Sequence, residues 1–156
     1  MVTLARHNYE NESISWQIDI QPEDLILYAD ENLISQVMIN LLKNAQQAIS
    51  YKLVANDYEQ ANSNKSSNIS EHTIGLITIK ASCNESESII IEVSNNGAAI
   101  PDEEVAHIFI PFFTTKENGS GVGLSVARQI MRLSGGSITL KKDHASGITT
   151  FILTFP

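Results

Sequence analysis

Three glycines at alternate positions, Gly119, Gly121 and Gly123, run directly into a helix-like segment spanning roughly Val122–Leu133. With no Cβ in the way, backbone N–H groups at such positions can approach an anion closely. The helix that follows adds its unpaired N-terminal amides and its dipole. This is chemistry for holding phosphates, and Lys116 stands three residues before the first glycine as a point charge. Flexible loops are also glycine-rich, so the trio alone does not decide the matter. No G-K-[ST] ending follows it, and no G-x-G-x-x-G follows a strand, so this is neither a P-loop nor a dinucleotide fingerprint.

A second polar set lies far upstream. Asn40, Asn44 and Gln47 recur at i, i+4 and i+7, opposite an apolar stripe. Asparagine inside a helix is costly because it competes for backbone hydrogen bonds, so a matched pair suggests a task. Carboxamide oxygens suit a hard cation such as Mg²⁺, usually shared with phosphate oxygens. A solvated helix face is the plainer alternative. A third set, Asn95-Asn96-Gly97-Ala98-Ala99-Ile100, follows a strand; it could present polar groups to a base edge, or simply turn the chain. A fourth, Phe109, Pro111, Phe112 and Phe113 with Thr114, Thr115 and Lys116, could anchor a mobile lid.

These sets need elements to position them. Ile14, Trp16, Ile18 and Ile20 alternate with polar residues and predict a half-buried strand. Gln21–Asp24 reads as a turn and Leu25–Ala29 as a second strand. Asp30 is placed to cap a helix whose stripe runs Leu33, Val37, Leu41, Ala45 and Ala48. The Asn- and Ser-rich run 56–72 has no apolar period and reads as a solvated insertion, with structure resuming by residue 75 or 76. Strands are expected at Leu76–Ala81, Ile89–Val93, Ser137–Leu140 and Ile148–Phe155, with a short amphipathic segment at Asp102–Ile108. The order implies an α+β fold, a mixed sheet covered on one face by helices.

Composition narrows the classes. At 156 residues the chain fits one domain with a real core. A formal net charge of −8 argues against a nucleic-acid surface. The single cysteine, Cys83, excludes an internal disulfide and fits a reducing compartment. No apolar run is long enough to cross a bilayer, so no direct membrane contact is expected.

Taken in order, the four sets resemble the N, G1, F and G2 boxes of the catalytic and ATP-binding domain of sensor histidine kinases, in the superfamily shared with gyrase, the heat-shock chaperone and MutL. The matching text is D-E-N-L-I-S-Q-V-M-I-N-L-L-K-N-A-Q-Q-A, N-N-G-A-A-I-P, I-F-I-P-F-F-T-T-K and G-S-G-V-G-L-S-V-A-R-Q-I. The resemblance implies a Bergerat-type two-layer α/β sandwich with a mainly antiparallel sheet. It divides the chain into a linker tail over residues 1–12 and a catalytic domain over 13–156, with 56–74 a polar insertion loop. It implies ATP and Mg²⁺ as cofactors. Asn44 would be the main metal ligand and Asn40 its helper, and Asn40, Asn44 and Lys116 would form the catalytic set. Asn95, Gly97, Ala99 and Ile100 would meet the base, and Gln47, Gly119, Ser120, Gly121, Val122, Gly123, Leu124 and Thr150 would complete the nucleotide site. Phe109, Phe112 and Phe113 would anchor the lid. The implied activity is phosphoryl transfer from ATP to a histidine on a separate dimerisation domain, with a response regulator downstream, in a cytoplasmic signalling protein.

Two positions depart from the family. Asn95 stands where Asp is usual, turning a charge-assisted bond to adenine into a neutral one at a cost of about 1 kcal/mol. Ala99 stands where Gly is usual, with a cost of about 1 kcal/mol if the backbone there needs positive φ. These departures motivate a rival, a nucleotide-binding regulatory module without kinase activity. A serine kinase or ATPase of the same superfamily is a third reading, opposed by the F-box and lid text. None of His7, His72, His107 and His144 sits in a phosphoacceptor context, so the accepting histidine is expected on another domain.

Overall fold

A computed structural model describes residues 14–62, 74–116 and 119–156. The expected linker tail over residues 1–12 lies outside them, as does 63–73 of the expected insertion. Eight elements follow in order: β1 (Ile14–Gln21), α1 (Glu31–Asn62), β2 (Gly75–Cys83), β3 (Ile89–Asn95), α2 (Asp102–Val105), α3 (Gly123–Leu133), β4 (Ser137–Asp143) and β5 (Ile148–Phe155).

The strands form one sheet in the order β1-β2-β3-β5-β4, with β1 parallel to β2 and every other pair antiparallel. The strand alternation decides its two faces. Ile77, Ile79, Val93, Phe151, Leu153 and Phe155 point to one side and meet Val37, Leu41, Leu42, Ala45 and Ile49 of α1 with Ala127, Ile130 and Met131 of α3. Side chains this well covered each contribute roughly 1.5–3 kcal/mol of burial. The opposite face carries a polar row across all five strands, Gln17, Thr78, Ser94, Thr150 and Lys141. The α+β sandwich with helices on one face is the architecture the sequence implied.

Local chemistry sets the helix limits. Asp30 Oδ1 accepts from the backbone N–H of Asn32 and Leu33 at 2.9 and 3.0 Å, fixing the start of α1. At the far end of α3, Gly135 takes φ +73° and a Cβ on Gly136 would fall 2.4 Å from Thr154 O. The chain can therefore reverse into β4 only through glycine.

Two expectations need correction. Leu25–Ala29 pairs with no strand; Leu25 and Leu27 turn inward while Ile26 and Tyr28 stay exposed, so the segment alternates without a ladder. And α1 runs on to Asn62, taking in the first residues of the segment read as an insertion loop. The turn after β1, the helix at 123–133 and the strand at 148–155 fall where expected.

Candidate functional site

Lys116 and the glycine stretch meet the side of α1 that carries Asn40, Asn44 and Gln47, and the turn after β3 meets the same helix at Ala48 and Ile49. Lys116 Nζ donates to Gln47 Oε1 at 2.8 Å and to Asn44 Oδ1 at 3.3 Å. Asn40 Nδ2 donates to Gly123 O at 3.1 Å. One polar stripe thus holds both the residue that precedes the glycine stretch and the glycine that ends it. Protein packed against one side of Lys116 desolvates its ammonium and pulls its pKa below the usual lysine value, although the side chain keeps contact with solvent.

The turn after β3 packs onto the next part of the same helix. A Cβ on Gly97 would lie 2.4 Å from Ala48 C and 2.5 Å from Ile49 N, closer than any side chain tolerates. That approach lets Ala98 N–H donate to Ala48 O at 2.8 Å. Asn95 is buried at 5% exposure, and its Oδ1 accepts the Gly97 N–H at 3.0 Å. Its amide Nδ2 is left as the donor for a ligand, while the oxygen keeps a second lone pair. Ile100 packs on the core, and its carbonyl accepts from Lys142 Nζ at 2.9 Å; the same ammonium pairs with Asp102. The segment 95–102 is therefore pinned from both sides, by α1 and by β4.

The glycines differ in why they are glycine. Gly121 has φ +66°, and a Cβ there would sit 2.6 Å from Phe112 C. Phe112 itself takes φ +65°, and its N–H donates to Gly121 O at 2.9 Å. The anchor between the aromatic box and the glycines is thus backbone, and the Phe112 ring points away at 80% exposure. This corrects the expectation that all three rings anchor the segment. Phe109 does so, edge-on to Phe151 and under the Arg128 guanidinium at 5.4 Å, and Phe113 lies 5.5 Å from the His107 ring. At Gly119 a Cβ would lie 2.3 Å from the Thr114 hydroxyl and 3.2 and 3.3 Å from Lys116 Cβ and Thr114 Cβ, side-chain atoms rather than backbone. At Gly123 the nearest atoms are Asn40's at 3.6 Å, ordinary contact. What Gly123 offers is position. It opens α3, whose N-cap Val122 makes no side-chain cap, so the first amides of that helix have no side-chain partner there, next to Asn40. Leu124 packs on the core, Val122 is half-buried and Ser120 is exposed.

Thr150 is not brought to the site. It lies on the open face of the sheet, where its hydroxyl meets Ser94 Oγ at 2.8 Å. Thr149 is the residue on the helix-covered face, buried at 4% exposure and directly opposite Asn95 across the β3–β5 ladder. The signal was available: counting back in twos from Phe155, Leu153 and Phe151 reaches Thr149. Ala99 is exposed and does not take positive φ, so alanine there carries no backbone strain.

The donors that line this region are carboxamides, one ammonium and backbone amides. Among the described residues no cluster of three His, Cys, Asp or Glu exists that could hold a metal unaided. A metal here would be shared with an anionic ligand, and Asn44 Oδ1 already accepts from a cation.

Comparison with known proteins agrees. Residues 29–156 match the family described as Histidine kinase-, DNA gyrase B-, and HSP90-like ATPase. Sensor protein FixL of Bradyrhizobium diazoefficiens is 31% identical over 98% of this chain and 26% of its own length. Sporulation kinase D of Bacillus subtilis is 33% identical over 84% of the chain and 26% of its own length, so the chain spans about a quarter of these relatives. Among solved structures, the catalytic domain of histidine kinase ThkA in a nucleotide-free form is 28% identical with a TM-score of 0.71, covering 99% of this chain and 89% of that one. The mycobacterial sensor histidine kinase MprB, 16% identical with a TM-score of 0.73 over 99% of this chain and 90% of that one, shares the fold. The chain belongs to the histidine kinase-, DNA gyrase B- and HSP90-like ATPase family, and it is a catalytic ATPase domain of the sensor histidine kinase kind.

Proposed function

We propose that this domain binds ATP with Mg²⁺ and transfers the γ-phosphoryl group to a histidine on a separate dimerisation domain, inside a two-component system with a response regulator downstream. The observation that carries the reading is the convergence on α1. One helix face gathers the carboxamides, Lys116 and the uncapped start of α3, and the next turn seats Gly97 beside the buried Asn95.

The residues fit the ligand. Asn95 Nδ2 faces a ring nitrogen of the base, Gly97 lets the turn that carries it lie against α1, and Thr149 stands beside Asn95 with a hydroxyl donor. Asn44 Oδ1 is the metal ligand, and Gly123, Leu124 and Ser125 turn their backbone amides to the phosphates. Mg²⁺ bound with the nucleotide would offset charge on the phosphate oxygens and orient the γ-phosphoryl for in-line transfer. Lys116 adds a positive charge as the bond to the leaving ADP breaks and the bond from phosphorus to the incoming imidazole nitrogen forms. Asn40, tied to Gly123 O through Nδ2, positions the start of α3 and keeps its oxygen for the metal. No helix among the described residues is long and apolar enough to cross a membrane, which suits a domain working in the cytoplasm.

The test supplies the chain with a purified histidine-bearing dimerisation domain and γ-labelled ATP. Acid-labile label on that domain is the expected result. Tight Mg²⁺·ADP binding without any transfer to several such domains would overturn the kinase assignment.

A further inference from the structure

The oxygens assigned above to the metal and nucleotide are held by a side chain of the same protein. Lys116 Nζ bridges Gln47 Oε1 at 2.8 Å and Asn44 Oδ1 at 3.3 Å, one helical turn apart. Its backbone is fixed as well: its N–H donates to Thr114 Oγ1 at 3.1 Å and its carbonyl accepts from Gly119 N–H at 3.1 Å. Such a contact between long exposed side chains would ordinarily mean little. Here the ammonium meets two oxygens at once from a turn already tied down, and one of them is the expected metal ligand. A divalent cation and an ammonium on a single carboxamide oxygen repel each other, so the two occupancies exclude one another. The shorter bond is to Gln47, which therefore sets where the lysine rests.

We propose that Gln47 is a positioning residue that holds Lys116 on Asn44 Oδ1 as a resident cation, so that Mg²⁺ entry and release of Lys116 toward the phosphates are a single exchange. The proposal rests on the ATP·Mg²⁺ reading of the site. It gives Gln47 a role distinct from nucleotide contact. The metal-free protein keeps its lysine off the phosphates, and nucleotide without metal must break the contact before Lys116 can reach it.

The test is calorimetric titration with ADP in EDTA and in Mg²⁺ for wild type, Gln47→Met, Lys116→Met and the double variant. Freed of its holder, Lys116 becomes available without metal. Gln47→Met should then tighten metal-free ADP binding about three- to tenfold and shrink the effect of Mg²⁺, while changing nothing in the Lys116→Met background. Weaker ADP binding in both backgrounds would show direct nucleotide contact by Gln47 and overturn the proposal, as would unchanged affinity. A second readout needs no nucleotide. The side-chain amide resonance of Asn44 should move in Gln47→Met as Lys116 leaves its Oδ1, and a resonance that stays put overturns the proposal whatever the ligand. Failure of the wild type to bind any adenine nucleotide would instead overturn the ATP reading.

Discussion

Gly97→Ala is the substitution that loads the account most heavily. The added methyl would stand 2.4 Å from Ala48 C, 2.5 Å from Ile49 N and 2.8 Å from Ala48 Cβ. Two of these atoms are helix backbone, which cannot swing aside, so the turn must withdraw from α1. Withdrawal of about 1 Å breaks the Ala98 N–H to Ala48 O bond of 2.8 Å and strains the Lys52 Nζ to Asn96 O bond of 2.7 Å. Overpacking costs about 1–3 kcal/mol and a lost hydrogen bond about 1 kcal/mol more. The expected loss is therefore about 2–4 kcal/mol, or roughly 5–15 °C in Tm for a domain of this size. Asn95 moves with the turn, because its Oδ1 holds the Gly97 N–H at 3.0 Å. Stability in urea and ADP affinity should fall together, with affinity down at least about tenfold through misplacement of the group proposed to face the base. Unchanged stability with unchanged ADP affinity would refute both the close approach and the assignment of this turn to the base.

Other outcomes follow from the same geometry. Gly121→Ala should destabilise by roughly 2–4 kcal/mol, since it adds a positive-φ penalty to a backbone clash, whereas Gly123→Ala should change stability by less than about 0.5 kcal/mol; thermal melts of the pair decide it. Gln46 is buried at 7% exposure with Nε2 unpartnered among the described residues, so Gln46→Met should raise stability by about 1 kcal/mol in urea melts. Acid should also be felt at β4. Lys142 holds the Asp102 carboxyl, and Ser146 with Ala145 the Asp143 carboxyl, below the ordinary aspartate value. Depressed folded-state values stabilise the fold above about pH 4 and lose that contribution as pH falls below it; Lys142→Met should flatten the acid limb of a Tm-versus-pH curve.

The strands were legible where alternation and burial coincide. Ile148–Phe155 is buried at every second residue, although Thr149 interrupts the apolar inward series and Ile148 and Ile152 the polar outward one. Ile14–Ile20 alternates cleanly, but β1 is an edge strand and runs past the core, leaving Ile18 and Ile20 exposed at 51% and 42%. Leu25–Ala29 alternates without a ladder because period two reports which residues face inward and says nothing about whether a partner strand exists. The extension of α1 carries Tyr51, Val54 and Tyr58 on an exposed line off the buried stripe, which hid it. The useful sign was negative, since no glycine or proline interrupts residues 50–74.

The site was legible by residue type and less so by geometry. Gly97 was expected to lie close to a ligand, and the structure adds its contact with the helix backbone at Ala48 and Ile49. The substitution at Ala99 looked costly only while its φ was unknown. Lys116 and Gln47 were both singled out, yet 69 positions separate them, and no spacing rule joins residues that tertiary packing brings to 2.8 Å. Thr150 was expected at the site because the motif text is silent on the strand's alternation, which turns Thr149 to the helix-covered face instead.

The measurement that bears most directly on the central claim is calorimetric titration of this chain with ADP and ATP, with and without Mg²⁺, and with GTP as control. Saturable adenine-nucleotide binding that Mg²⁺ strengthens is expected, with little response to GTP and loss of the Mg²⁺ effect in Asn44→Leu. No binding at millimolar nucleotide, or binding to which Asn44→Leu and Mg²⁺ are both indifferent, would contradict the claim.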